Sequence, residues 1–495
     1  HSLFHAGFDN VEEGIQNPLN ITPAKASAMA IKLSGISMLV VDEISMVRAD
    51  TFEMMHRLCQ AARENDLPFG GLQVVVVGDL FQLPPVVSDE AIQNYLMNEY
   101  GGIYFFDSHV VNDNIKDIRL FELTKSFRQK NDPEFVRLLD AFREPLTAER
   151  KVELLDALNT RVTSSLPDDA FYIASSNEEV SAINAEKLAN LPGKQRSVQA
   201  NYRIKLKDSD SHIELRHDQL PTDKEIEPIA IPSQYEGCLN FKIGARVMLT
   251  KNCKMYGQPY YTNGDFGTIV DFKTTNGAIK HEFTIQLEKG GLITCPNPNY
   301  NHREDQVTDY RYEYIYDSKA HSVIRKKPFI QRTDQYPIKL AYAITIHKSQ
   351  GQTYDKVILD LNCHIFAPGQ LYVALSRAKS LSGLFLTKKI TYSDIISDEA
   401  IFRFLNRLRL INGAKPTDAA DQPSERNSPS RPAANRRCDD FITFVRVNEE
   451  NPSVKDFLCH TLDSYKTVSA LGHDDMAFEE LMKIINLITG AYVTD

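Results

Sequence analysis

The stretch Met38-Leu39-Val40-Val41-Asp42-Glu43-Ile44-Ser45-Met46 constrains the fold of this chain more than any other. Four apolar residues run directly into two adjacent carboxylates and a small polar residue. A short unbroken apolar run predicts a strand buried on both faces, as in a parallel sheet. Open α/β sheets gather their ligands at the carboxyl ends of such strands. Two acids placed there have separate natural tasks, one to hold Mg²⁺ and the other to activate a water. That is the arrangement of a Walker B strand. A strand ending in a solvated acidic turn would give the same string, so other segments must decide.

The pattern continues as strand, helix, strand. Phe52-Glu53-Met54-Met55-His56-Arg57-Leu58 has helical spacing to about Arg63, Pro68-Phe69-Gly70-Gly71 breaks it, and Leu72 to Val77 is a second apolar run closed by Gly78-Asp79. This is a βαβ unit. A third strand is predicted near Leu120–Leu123, and Phe171-Tyr172-Ile173-Ala174 opens another α/β unit with a helix carrying Asn184. Between 241 and 335 the texture becomes short strands separated by Asn263-Gly264-Asp265 and Gly290-Gly291, which predicts a small inserted β-barrel. Helix and strand alternation resumes from Leu340, with strands at Val357–Leu361 and Leu384–Leu386. Residues 413–437 have linker composition, and 438–495 read as a helical tail starting near Asn451-Pro452.

At 495 residues the chain exceeds one hydrophobic core. No apolar run approaches a membrane span. Seven scattered cysteines form neither a zinc pattern nor a disulfide framework, which predicts reduced thiols in an intracellular protein. The net charge of −10 is unevenly spread: 438–495 carries eleven acids against four bases, leaving −3 to the other 437 residues. A near-neutral body can still present a basic groove, so nucleic acid is not excluded. Lys319, Arg325, Lys326, Lys327 and Arg332, with no acid between them, are either a phosphate-tracking patch or an ordinary solvated face.

Four further segments bear on chemistry. Gln82, just past the second strand in Gly78-Asp79-Leu80-Phe81-Gln82-Leu83-Pro84-Pro85, offers an amide that can sense a γ-phosphate or polarise an attacking water. Arg128 in Phe127-Arg128-Gln129 and Arg377 in Ala374-Leu375-Ser376-Arg377-Ala378 are planar cations suited to phosphoryl charge, and structural ion pairs are their alternative. Ala343-Ile344-Thr345-Ile346-His347-Lys348-Ser349-Gln350-Gly351-Gln352-Thr353 packs hydroxyls, an imidazole, a lysine and amides around a glycine. Such a loop can hold phosphates, with Gln350 and Gly351 as candidate nucleotide contacts, or it can be a polar helix cap.

In this order, these segments resemble the superfamily 1 helicases, and within them the PIF/RecD-like branch, with PIF closer. The match comprises Asp42-Glu43-Ile44-Ser45-Met46 (motif II), Pro68-Phe69-Gly70-Gly71-Leu72-Gln73, Gly78-Asp79 with Gln82-Leu83-Pro84-Pro85 (motif III) and Ser126-Phe127-Arg128-Gln129 (motif IV). It continues through Gly244-Ala245-Arg246-Val247-Met248-Leu249, Asn263-Gly264, His347-Lys348-Ser349-Gln350-Gly351 (motif V) and Tyr372-Val373-Ala374-Leu375-Ser376-Arg377 (motif VI), and covers roughly 1–410. The resemblance implies an α/β protein with two RecA-like P-loop NTPase domains, an SH3-like β-barrel inserted in the second, and ATP-driven 5′-to-3′ movement on single-stranded DNA. It implies Asp42 as the Mg²⁺ ligand, directly or through water, and Glu43 as the base. It implies Gln82, Arg128 and Arg377 at the phosphates. Thr345, His347, Lys348 and Ser349 are implied at the DNA backbone or as relays of nucleotide state, with His1 and Ser2 at the end of motif Ia and Pro84 and Pro85 beside the bases.

The expected boundaries are 1–125 for the first domain, 126–240 with 336–412 for the second, 241–335 for the insertion, 413–437 for a disordered linker and 438–495 for the acidic helical tail. The family's phosphate loop, GxxxxGK followed by Ser or Thr, is expected before His1, because the one Gly-Lys pair here is Gly193-Lys194-Gln195. The fragment is therefore expected to be inactive by itself, within a full-length ATP-dependent DNA helicase or translocase of replication, repair, recombination or telomere maintenance. A non-catalytic nucleic-acid-binding remnant is the alternative. ATP and Mg²⁺ are the expected cofactors. Single-stranded DNA and duplex junctions are the expected partners of a monomer without membrane contact, with a protein partner for the acidic tail. The location is expected to be cytoplasmic in a bacterium or virus and nuclear or mitochondrial in a eukaryote.

Overall fold

The computed structural model describes residues 21–413, apart from 88–89, 124–127, 130, 168, 206–211, 217–235, 256–257, 275–280, 296–312, 318–321, 327–329 and 363–364, together with short strands at 15–16 and 442–446. Among the described residues no helix is long and apolar enough to cross a membrane.

The chain enters through helix α1 (Pro23–Leu33), which has proline at its first position, where no N–H is needed, and Thr22 as a side-chain cap. Strand β1 (Met38–Val41), helix α2 (Ala49–Arg63) and strand β2 (Gln73–Gly78) follow, as the apolar runs predict. The Pro68–Gly71 turn between α2 and β2 is pressed onto the helix. Phe69 is fully buried at φ 50°, with its ring 5.2 Å from that of Phe52, and a Cβ on Gly70 would lie 2.6 Å from the Cys59 carbonyl. Only glycine tolerates that approach. Strand β3 (Ile118–Glu122) completes this part of the chain.

Strand β4 (Phe171–Ala174) and helix α3 (Asn177–Asn190) open the second unit. The chain then makes β5 (Arg246–Leu249), β6 (Phe266–Thr274), β7 (His281–Leu287), β8 (Leu292–Cys295) and β9 (Ile338–Leu340). It returns through β10 (Ala343–Thr345), helix α4 (Ile346–Ser349), β11 (Val357–Asp360), helix α5 (Gln370–Ser376), β12 (Leu384–Leu386) and helix α6 (Glu399–Ile411), and a last strand, β13, spans Ile442–Arg446.

Two parallel sheets result, in the orders β1-β2-β13-β3 and β10-β4-β11-β12. In the first, Val41 pairs with Val76, so the carboxyl ends of β1 and β2 fall together and set Asp42-Glu43 beside Gly78-Asp79. Val74 to Val77 are all buried; burial of each such side chain contributes about 1.5–3 kcal/mol. In the second sheet, buried Asn184 of α3 accepts from the Tyr342 and Ala343 N–H groups, both at 2.9 Å, and fixes the chain as it returns to β10. The five strands β8-β7-β6-β5-β9 form an antiparallel sheet where the insertion of short strands is expected, around its own core of Val247, Leu249, Ile269, Phe283 and Ile285.

One apolar core runs through both parallel sheets. Helix α6 is counted by sequence with the second unit, yet it packs on the first. Phe404 stacks on Phe106 at 4.4 Å, Arg409 pairs with Glu122 at 2.8 Å, and Asn412 bonds the backbone of Ile118 and Leu120. Its apolar face decides where it packs, whichever sheet precedes it in the chain. The tail also departs from expectation, since 442–446 is a strand between β2 and β3; the helices expected from Asn451 onward and the linker beyond Gly413 lie outside the described residues.

Candidate active site

Asp42 and Glu43 emerge exposed from β1. Asp42 Oδ1 accepts the Glu43 N–H at 2.8 Å, and Glu43 sits at φ 52°, ψ 46°. A left-handed conformation at a residue with a side chain costs on the order of 1–3 kcal/mol and persists where its surroundings impose it. Gly78 leaves room for the turn, because a Cβ there would lie 3.0 Å from the Ile44 nitrogen. Gln82 follows β2 almost wholly buried, with its N–H bonded to the Asp79 carbonyl at 3.1 Å. From the second sheet, Gln350 Nε2 donates to Glu43 Oε2 at 3.1 Å and to Gln82 Oε1 at 2.9 Å. Residues from three separated motifs thus meet in one bridge.

Behind the bridge lies a second junction. Asp79, fully buried, accepts from Arg143 Nη2 at 3.0 Å, from the Tyr372 hydroxyl at 2.9 Å and from the Phe81 N–H at 3.1 Å. Arg143 also donates to the Tyr372 hydroxyl and pairs with Asp140, and its guanidinium lies 5.2 Å from the Tyr372 ring centre. Gly369, at φ 71°, opens α5 against the carbonyls of Phe81 and Gln82, which a Cβ would strike.

The loop that carries Gln350 is held from both sides. Thr345 caps α4 by accepting the Lys348 N–H at 3.4 Å, and the Ser349 hydroxyl donates to the Ile346 carbonyl at 2.7 Å. Arg377, fully buried, donates to the carbonyls of Val373 (2.8 Å), Ser349 (3.3 Å) and Gln352 (2.8 Å), and to Ser376 Oγ (2.8 Å). Burial lowers the pKa of His347 below the ordinary imidazole value. Burial, with Lys339 nearby, brings Lys348 down to about 8 against the opposing pull of Glu236.

Among the described residues no group of three or more His, Cys, Asp or Glu side chains could hold a metal. A single exposed carboxylate such as Asp42 does suit Mg²⁺, which binds through one or two carboxylates and completes its shell with waters and substrate phosphates.

Residues 1–151 match the family model described as PIF1-like helicase, and 340–385 match the UvrD-like helicase C-terminal domain. The ATP-dependent DNA helicase Pif1 of Campylobacter jejuni is 30% identical over 417 residues, which are 83% of this chain and 81% of that protein. The chain belongs to the PIF1-like helicase family. The ATP-dependent DNA helicase PIF1 of Danio rerio is 30% identical over 398 residues, and there the match spans 52% of the longer relative. Bacteroides Pif1 bound to single-stranded DNA superposes with a TM-score of 0.57 at 30% identity over 82% of each chain. The Bacteroides Pif1 complex with ADP-AlF3 and single-stranded DNA gives 0.58 at 30% identity over 83% of each.

Within this PIF1-like chain the expected site residues divide into groups. Glu43, Gln82 and Gln350 meet, with Asp42 adjacent. Arg128 is half-buried beside Gln129, whose buried amide donates to the carbonyls of Ser376 and Ala378 at 3.2 and 3.1 Å. Arg377, expected at the phosphates, is buried with its guanidinium on the loop carbonyls. Thr345 and Ser349 likewise have their hydroxyls committed within α4, since a buried helix end must satisfy its backbone first. His347 and Lys348 are half-buried, Gly351 is exposed at φ 76°, Pro84 is half-buried and Pro85 is buried. Lys326 ends the Ser322–Lys326 strand; His1, Ser2 and Lys327 lie outside the described residues. Sequence reasoning passed over Asp79, Tyr372 and Gln129, although they stand inside quoted motifs. Arg143 falls in no motif and offered no signal.

Proposed function

We propose that this chain is the motor of an ATP-dependent DNA helicase that moves 5′-to-3′ on single-stranded DNA and opens duplex junctions. The observation that carries the reading is the bridge of Glu43, Gln82 and Gln350, where the carboxyl edge of one parallel sheet meets a loop of the other. Water attacks the γ-phosphorus of ATP, its proton passes to the Glu43 carboxylate, and the bond to the β–γ bridging oxygen breaks to leave ADP and phosphate. Asp42 would hold Mg²⁺, which would supply neutralising charge at the phosphate oxygens. Gln82 senses the γ-phosphate, and Arg128 and the Gln350–Gly351 backbone approach the phosphates from the second sheet. Arg377 acts through the 349–352 loop that it holds. His347 and Lys348, together with Pro84, Pro85, Lys326, Lys327, His1 and Ser2, form the DNA side. The names of the relatives, and complexes of Bacteroides Pif1 with single-stranded DNA and ADP-AlF3, support this reading.

The working form is a monomer in genome maintenance, and the acidic tail takes a protein partner. Glu43→Gln in the full-length gene product tests the assignment. Nucleotide and DNA binding persist, and DNA-stimulated turnover falls by about 10²–10⁴, the usual worth of a general base. Unchanged turnover overturns the assignment. A wild-type product that binds DNA and hydrolyses no ATP is the result that favours a nucleic-acid-binding remnant.

A further inference from the structure

We propose that Gln350 is the positioning residue that aims the base, tying the placement of Glu43 to the seating of the DNA-side helix α4. The inference rests on the helicase reading above and goes beyond it, because it gives the Gln350 side chain a role through Glu43, separate from the approach of its backbone to the nucleotide. Both N–H bonds of its amide are used across the gap between the sheets, toward Glu43 Oε2 at 3.1 Å and Gln82 Oε1 at 2.9 Å. One side chain thereby fixes the two groups that must face the same reacting phosphate. The amide oxygen is buried and has no partner among the described residues. The side chain is oriented by its donors alone.

Gln350 is also bound to α4. Its backbone N–H caps the helix on the His347 carbonyl at 3.4 Å, and the nearby Ser349 and Gln352 carbonyls are held by Arg377. Thr345 to Gln352 therefore moves as one piece. A shift of His347 and Lys348 against a DNA backbone carries the amide with it, and the amide carries the Glu43 carboxylate. A misplacement of about 1 Å at a reacting group costs about 10² in rate, so small movements of α4 suffice to switch hydrolysis.

Two variants of the full-length gene product test this, with Glu43→Gln measured in parallel. Gln350→Ala removes both donors, and DNA-stimulated kcat falls about 10²-fold while the KM for ATP and the Kd for oligo-dT stay within about threefold, a loss confined to the reacting step. Gln350→Glu keeps the shape but sets a carboxylate against Glu43, and its kcat is lower still. A side chain that only fills space gives the opposite order, with glutamate milder than alanine, and that result overturns the proposal. So does a rise in KM at constant kcat, which marks a direct nucleotide contact. If Glu43→Gln turns over normally, the helicase reading itself fails. If Glu43→Gln is inactive while both Gln350 variants match wild type, only the positioning role fails.

Discussion

Two contacts join the parallel sheets at the catalytic edge, and they are built in opposite ways. Asp79, Arg143 and Tyr372 make an ionic contact with no exposure at the carboxylate and hydrogen bonds on both carboxylate oxygens. Glu43, Gln82 and Gln350 make an amide contact around an exposed carboxylate, with one buried acceptor lacking a partner among the described residues. Loss of one member of a buried ion pair costs about 3–5 kcal/mol, whereas a typical hydrogen bond contributes about 1 kcal/mol net. The strong joint therefore stands behind the site and the weak one within it. A motor that opens and closes needs that division, a joint that persists and a contact that can be made and broken.

The comparison breaks first at Asp79. Asp79→Ala leaves the buried Arg143 guanidinium with the half-exposed Asp140 carboxylate in place of a buried one, and urea unfolding should register a loss of about 3–5 kcal/mol. A loss under about 1 kcal/mol would put both contacts in the weak class. Arg377 gives the next largest effect. Arg377→Ala orphans the loop carbonyls and should cost about 2–3 kcal/mol of stability along with turnover. Arg377→Lys should not restore either, because an ammonium cannot reproduce the planar fork. Lost turnover at full stability would instead make Arg377 a phosphate contact.

Lys348 gives the smallest effect and the one most sensitive to pH. With a pKa of about 8, it is about nine-tenths protonated at pH 7 and about one-tenth at pH 9. The affinity for oligo-dT should weaken a few-fold over that range, roughly the share of one phosphate contact, and Lys348→Arg should flatten the profile. Stability moves the other way. The folded pKa lies below the ordinary lysine value, so the unfolded chain binds the proton more readily and folding gains as pH rises from about 8 to about 10. An affinity profile that is flat in wild type would remove Lys348 from the DNA side.

Local features of the site were legible in the sequence because they lie on contiguous residues. The Met38–Glu43 run specified a strand with acids at its carboxyl end, although at the sheet edge only Leu39 and Val41 are buried and not both faces, and Leu72 to Gln82 specified a second strand and its loop. The order of the motifs placed Gln350 in the right company. Direction was not legible. Arg377 and Ser349 are motif residues that turn inward, because a buried loop must satisfy its own carbonyls before it can offer side chains outward. Pairings between distant segments were also hidden, among them Arg143 with Asp79 and α6 with the first sheet. The strand at 442–446 did carry a signal, the β-branched and aromatic run Ile442-Thr443-Phe444-Val445, which the helical pattern farther along the tail overshadowed.

The most direct test of the account is strand displacement by the full-length gene product on duplexes carrying either a 5′ or a 3′ single-stranded tail, with Glu43→Gln beside wild type. A 5′-to-3′ motor driven through Glu43 gives ATP-dependent unwinding of the 5′-tailed duplex alone, and a Glu43→Gln protein that binds the same tail without separating the strands. Unwinding from the 3′ tail, or unwinding by Glu43→Gln at the wild-type rate, would contradict it.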